Sequence, residues 1–276
     1  MDPVEIARRA YRSGRELREK RELSRFRMAL RFDASAPALL LSPHWDDAVL
    51  DCWGVLADGG PLVVANLFAG SPPPGRLAGW DAITGARDSA ARTAERLAED
   101  ARALSLAGRT PITLPLLDAQ YRDGAPPTLA ELDRLLARNL SSASRIYAPA
   151  AIGAHPDHRL ARLYARQALT VGIPVTLYAE LPYCVLHGWP HWVDRRERDP
   201  HRDADVFWSQ FLGDVPEMPP LDEAAVRRLE DVEAAAKLAA MRCYETQLPA
   251  LGYGGRGLLE DPEIHRYEVS WELQRG

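Results

Sequence analysis

The stretch LLLSPHWDDAVL, residues 39–50, decides how this chain is read. Three leucines make a strand-like run, and a histidine, a tryptophan and two adjacent aspartates follow before aliphatic residues resume. Adjacent carboxylates directly after an apolar run repel each other, and burying even one of them is costly. The rest of the chain has to supply compensating positive charge.

Outward from this stretch, short apolar runs alternate with longer helical ones. Residues 38–41, 62–68, 112–117, 145–148 and 175–181 read as strands, and 47–57, 86–107, 128–139 and 158–171 as helices. The alternation predicts an α/β fold, a Rossmann-like and mostly parallel sheet with helices on both faces. In such a sheet the ligand site lies outside the carboxyl ends of the strands. With no GxGxxG and no GxxxxGK[ST], a nucleotide phosphate cradle has no local support.

Two units are expected. Residues 1–32 form a charged N-terminal helical segment with ten basic and five acidic side chains, and 33–276 a single α/β domain. Within that domain, 183–220 is an irregular excursion rich in proline, holding Trp189, Trp192 and Trp208. It reads as a lid or a substrate wall over the strand ends. Residues 222–246 then read as one long helix and 268–273 as a final short strand.

The composition narrows the function classes. Hydrophobic residues are 46% and charged residues 26% of the 276, the balance of an ordinary globular protein. A net charge of −5 argues against nucleic acid as a partner. The three cysteines, Cys52, Cys184 and Cys243, form no CxxC pair, so no disulfide framework or thiolate zinc site is indicated. A reducing cytoplasm is the expected compartment. No apolar h-region or long hydrophobic span indicates a signal peptide or a transmembrane segment.

A second stretch, IYAPAAIGAHPDHRLA at 146–161, again runs from a strand through a polar loop into a helix. It carries His155, Asp157 and His158. Singly, each cluster has a plain alternative. Asp46 or Asp47 can cap the helix that follows, and HPDH can be a solvated turn opened by Pro156. Jointly they fall at the predicted carboxyl ends of two strands, where loops of a parallel sheet meet. Two imidazoles and a carboxylate suit a catalytic zinc ion that keeps one position for water.

SPHWDDA at 42–48 and AHPDHR at 154–159 resemble the paired motifs of the PIG-L/LmbE-like N-acetylglucosaminyl deacetylases, a zinc-dependent family. Weaker echoes are RLAE at 96–99, LLDAQ at 116–120 and KLAAMRCYETQL at 237–248, so the resemblance spans roughly residues 36–250. It implies His44, Asp47 and His158 as zinc ligands and Asp46 as the base that deprotonates the metal's water. It implies His155 as the group that stabilises the oxyanion or protonates the leaving amine. Asp157 is then the carboxylate that orients a neighbouring histidine. Arg96 and Asp118 fall where family members contact the sugar.

Two departures stand out. Ala48 replaces the glutamate that many members carry, a change that a subset of the family shares. Trp45 replaces a proline or small residue, and its flat face is expected either to stack on a sugar or to form a hydrophobic wall. The resemblance implies hydrolysis of an N-acetyl or related N-acyl group on an amino sugar or a sugar-containing natural product. The cofactor is expected to be Zn²⁺, with other divalent transition metals and the oligomeric state left open. The same centre acting on a non-sugar amide and a non-catalytic sugar- or metal-binding domain are the competing readings.

Overall fold

The computed structural model describes residues 36–197, 201–253, 256–257 and 260–274. The N-terminal segment expected over 1–32 lies outside the described residues.

The strands are β1 (Ala38–Ser42), β2 (Leu62–Asn66), β3 (Ile112–Thr113), β4 (Ile146–Pro149), β5 (Val175–Tyr178), β6 (Ala225–Arg228), β7 (Gly252–Tyr253), β8 (Arg256–Gly257) and β9 (Tyr267–Glu272). The helices are α1 (Asp47–Asp51), α2 (Trp53–Ala57), α3 (Gly79–Ile83), α4 (Ser89–Ser105), α5 (Leu129–Ser141), α6 (Pro156–Thr170), α7 (His191–Asp194), α8 (Ala204–Leu212) and α9 (Asp231–Met241). Seven strands form one sheet in the order β3-β2-β1-β4-β5-β9-β6, and β7 and β8 form a separate small ladder.

β1 is central, paired in parallel with β2 on one side and β4 on the other. A strand covered this way carries an unbroken apolar run, and Leu39, Leu40 and Leu41 are all buried. From β1 the chain steps outward through β2 to β3, then returns to β4 on the opposite side of β1. The order therefore reverses between β1 and β4, and a crevice opens at such a point beyond the strand ends. SPHWDD follows β1 and HPDH follows β4. Topology alone thus brings the two motifs together.

The fold is α/β and mostly parallel, with β9 antiparallel to both β5 and β6. Three local expectations change. The helix expected over 47–57 is two short pieces, broken at Cys52 (φ −132°, ψ 31°). The strand expected over 112–117 pairs continuously only at Ile112 and Thr113, with isolated bridges from Pro115 and Leu117 beyond. Proline lacks a ladder donor, and Pro111 and Pro115 bracket this strand. Gly70 meets it closely, since a Cβ there would fall 2.6 Å from Pro115 O.

The helix expected over 222–246 is instead the edge strand β6 followed by the shorter α9. Every residue of β6 is exposed, and Arg227 and Arg228 guard the open edge. α9 is set by a capping box at Glu230 and Glu233.

α9 is tied to the sheet by one of the two lysines in the chain. Lys237 is fully buried, and its Nζ lies 3.0 Å from Glu268 Oε1 on β9. Glu268 Oε2 in turn accepts from the Gly54 N–H on α2 at 2.9 Å. Removing one partner of such a pair strands a charge away from water. Lys237→Met is therefore expected to cost about 3–5 kcal/mol in urea unfolding. Adding Glu268→Gln should recover most of the loss, because the neutral amide still accepts from Gly54.

Candidate metal centre and active site

The first motif is shaped by its own side chains. Ser42 Oγ donates to His44 O at 2.6 Å and accepts from Ala48 N–H at 3.0 Å, which folds the turn between β1 and α1. Asp46 occupies the cap position of α1 but makes no capping hydrogen bond. Asp47 turns back instead, with Oδ2 accepting from His44 N–H at 2.7 Å. The helix-cap reading of these aspartates therefore does not hold. In the second motif His155 is the N-cap of α6, with Nδ1 accepting from Asp157 N–H at 3.3 Å. Pro156 opens the helix, and Asp157 and His158 are wholly buried, so HPDH is not a solvated turn.

Across the crevice the two motifs put three donor atoms together. His44 Nδ1 and His158 Nε2 are 3.3 Å apart, and Asp47 Oδ2 lies 3.5 Å from the first and 3.4 Å from the second. Donors about 2.0–2.1 Å from a tetrahedral zinc ion stand about 3.3–3.4 Å from one another. The triangle fits that ion. A His155 nitrogen falls within 4.8 Å of nitrogens of both other histidines, beside the triangle.

The far nitrogens of the two imidazoles face carboxylates. His44 Nε2 is 3.3 Å from Asp157 Oδ2, and His158 Nδ1 is 3.0 Å from Glu180 Oε1. A carboxylate only accepts, so each far nitrogen carries the proton and the near nitrogen is left for a cation. Glu180, just beyond β5, also accepts from the Ala151 and Ile152 N–H groups. It thereby holds the loop after β4, where Ala151 and Ala154 both sit at positive φ.

The charge balance points the same way. Asp46, Asp47, Asp118, Asp157 and Glu180 are all buried, and the guanidiniums among them are those of Arg96 and Arg122. Burial alone would lower His44, but the Asp118, Asp157 and Asp47 carboxylates outweigh it and push it well above the usual imidazole range. Burial would raise Asp47, yet His158 and His44 hold it far below the ordinary carboxylate range. Burial raises Asp46 against the opposing pull of Arg96. His155, between two other histidines, is pushed down to about 4 by burial and by their charge. A neutral His155 whose Nδ1 accepts from the backbone carries its proton on Nε2.

These groups open onto a cleft of about 240 Å³. Its lining includes His44, Asp46, Asp47, Arg96, Asp118 and His155 from the sequence reading, joined by Trp80, Gln120, Leu181, Pro182, Tyr183, Gln247 and Leu251. Arg96 Nη2 is 3.7 Å from Asp46 Oδ1, and Nη1 is 3.9 Å from Asp118 Oδ2. Glu99, one turn along α4, binds Thr246 rather than Arg96. Asp118 is also a turn residue, its Oδ1 accepting from Gln120 N–H.

Trp45 takes one of its two expected roles. It is 1% exposed, with Arg96 Cζ 4.8 Å over its ring, so the face expected to stack on a sugar is covered by a guanidinium. It is the buried wall of the two alternatives. The excursion contributes to the cleft at one end. Among the described residues of 183–220, Tyr183 reaches the cleft lining, while Trp208 packs edge-on against Trp189, Trp192 and Trp271. His187 stacks on Phe207, away from the cleft.

Sequence reasoning passed over Glu180, Trp80 and Gln247. Glu180 had a usable signal, since it follows a strand at its carboxyl end. Gln247 lies in the K…Y…Q echo and accepts from Trp80 Nε1 at 2.7 Å. Trp80 lies on the five-residue helix α3, too short to carry a readable pattern.

No protein-family model and no curated protein sequence matches the chain. Solved structures do. A triple mutant of a deacetylase from the teicoplanin biosynthetic pathway, Orf2*T, is 27% identical over 87% of this chain and 98% of its own, with a TM-score of 0.65. The A40926 pseudoaglycone deacetylase Dbv21 is 26% identical over 88% and 98%, with a TM-score of 0.62. The zinc-inhibited form of the teicoplanin deacetylase Orf2, 23% identical over 87% and 98%, shares the fold at a TM-score of 0.64. The chain shares its fold with these deacetylases, which supports the PIG-L/LmbE-like resemblance carried by SPHWDDA and AHPDHR.

Among the described residues, no helix is long and apolar enough to cross a membrane. The three cysteines are free, two of them buried. The donor triangle predicts one divalent transition ion per chain, measured by metal analysis after dialysis. His158→Ala removes one of the three donors of the triangle, and it should lower the stoichiometry to near zero.

Proposed function

We propose that the chain is a zinc-dependent deacetylase that hydrolyses an N-acetyl or related N-acyl group of an amino sugar or a sugar-containing natural product. The observation that carries this reading is the triangle of His44, Asp47 and His158 donors, spaced 3.3–3.5 Å, beside two groups suited to proton transfer. Deacetylases among the solved neighbours, on teicoplanin and on the A40926 pseudoaglycone by their names, support the reaction class.

Zinc bound there would act as a Lewis acid on an acyl oxygen and bring a water's pKa toward neutrality. The chain's own residues divide the remaining work. Asp46 lines the cleft beside Asp47 without being committed to a cap, so its carboxylate is free to take the proton of the attacking water. Arg96 and the wall of Trp45 behind it hold Asp46 from one side.

His155 presents an Nε2–H to the oxygen on which charge develops as the amide carbonyl is attacked. Cleavage of the C–N bond then needs one proton on the departing nitrogen, and the proton taken by Asp46 supplies it. The products are a free amine and a carboxylic acid, which gives its remaining proton to the solvent and leaves as a carboxylate. Asp157 and Glu180 take no proton in this scheme; they fix the direction of the two imidazoles. Asp118, Arg96 and Gln247 offer hydrogen bonds to a polyhydroxylated ligand.

The test is acetate release from N-acetylglucosamine conjugates, with free amine measured in parallel. Asp46→Asn keeps the size of the side chain and should keep one metal per chain. Its kcat should fall by about 10²–10⁴. Wild-type turnover by that variant would remove Asp46 from the base role, and turnover confined to non-sugar acetamides would move the substrate class.

A further inference from the structure

Arg122 belongs to neither motif and does not line the cleft, yet it touches the site from behind. It directly follows the short 3₁₀ turn Ala119–Tyr121, whose first residue donates its N–H to Asp157 Oδ2 at 2.8 Å. The Arg122 guanidinium reaches the other oxygen of the same carboxylate, with Nη2 2.6 Å from Asp157 Oδ1. Its Nη1 donates to Leu117 O at 2.8 Å, and its Cζ lies 5.6 Å over the Phe68 ring. The guanidinium is thus itself fixed by a backbone carbonyl and by an aromatic face.

An aspartate carboxylate turns in a broad two-fold well about its Cβ–Cγ bond, so one hydrogen bond does not set its plane. Here each oxygen has a different partner. Oδ1 accepts no well-directed hydrogen bond and is met by Arg122 alone among the described residues, while Oδ2 serves both Ala119 N–H and His44 Nε2. Pinning Oδ1 therefore decides where Oδ2 points. Oδ2 in turn decides how the His44 ring is turned, and with it the direction of His44 Nδ1 within the donor triangle.

We propose that Arg122 is a positioning residue of the metal centre, acting through Asp157 to aim His44. The proposal rests on the reading of His44, Asp47 and His158 as the ligands. A buried ion pair is by itself weak evidence for stability. A role in aiming a ligand gives the pair a function that an apolar substitution could not supply.

The experiment is zinc affinity of the metal-free full-length protein, by competition with a chromophoric chelator. Arg122→Met is expected to weaken zinc by about 10–100-fold, the scale for losing a partner behind a metal ligand. Arg122→Lys should recover most of this, because an ammonium restores charge at Oδ1 although it loses the planar fork that also reaches Leu117. Leu136→Ala, in the core of α5, serves as a stability control. It should unfold more readily and bind zinc as the wild type does.

Wild-type zinc affinity in Arg122→Met, or a loss no greater than that of Leu136→Ala, would overturn the proposal. Failure of the underlying reading looks different. In that case the wild type holds no stoichiometric zinc, or His158→Ala holds it equally well, and both readings fall together.

Discussion

Carboxylates gathered at one end of a parallel sheet are the constraint on which the rest of this structure depends. Asp46, Asp47, Asp118, Asp157 and Glu180 are each buried, and two guanidiniums offset them only in part. Such a cluster persists only if every oxygen has a donor or a cation. The structure meets that demand with backbone N–H groups from His44, Ala119, Ala151, Ile152 and Gln120, and with two imidazoles. A divalent ion in the donor triangle would balance the negative charge that remains.

The scaffold makes this arrangement possible by a simple topological step. β1 and β4 lie side by side although more than a hundred residues separate them, because the chain leaves β1 in one direction and comes back on the other side. Loops that diverge from neighbouring strands leave a gap between them, and each loop here leads directly into a helix. The short α1 and the long α6 fix the two ends of that gap. Asp47 sits at the first residue of α1, and His158 two residues after the first residue of α6. α1 and α6 hold the ligand candidates, while Trp80 on the short α3 and Tyr183 in the turn after β5 shape the cleft.

Much of this was legible in the sequence, for identifiable reasons. The central strands were readable because burial on both faces demands uninterrupted apolar runs. The motifs were readable because charged residues directly after such runs are physically expensive and therefore informative. β6 was not readable. Its residues AVRR carry no apolar alternation, since the edge strand is exposed throughout and owes its conformation to pairing with β9. What Glu180 and Arg122 touch was hidden for another reason. They act on residues distant in sequence, and no local spacing encodes a carboxylate that meets a histidine 22 positions away.

Trp45 shows how a residue can be placed by the sequence with two roles left open to it. Its position between His44 and Asp46 put a large aromatic beside the candidate metal site, where chemistry alone allowed either sugar stacking or a hydrophobic wall. In the fold, successive residues of a tight turn point in different directions, so His44 and Asp46 face the cleft while Trp45 is driven into the interior. There Arg96 covers its ring, and Tyr244 Oη reaches its carbonyl at 3.1 Å while lying 2.9 Å from Asp100. Burial pushes Asp100 up to about 7, and its other oxygen accepts from Asn66 at the end of β2. The tryptophan therefore connects the first motif to α4, β2 and the segment after α9. Its bulk backs Arg96, and Arg96 faces Asp46. Its contribution to the site is indirect, through the placement of a cation beside the carboxylate assigned as base.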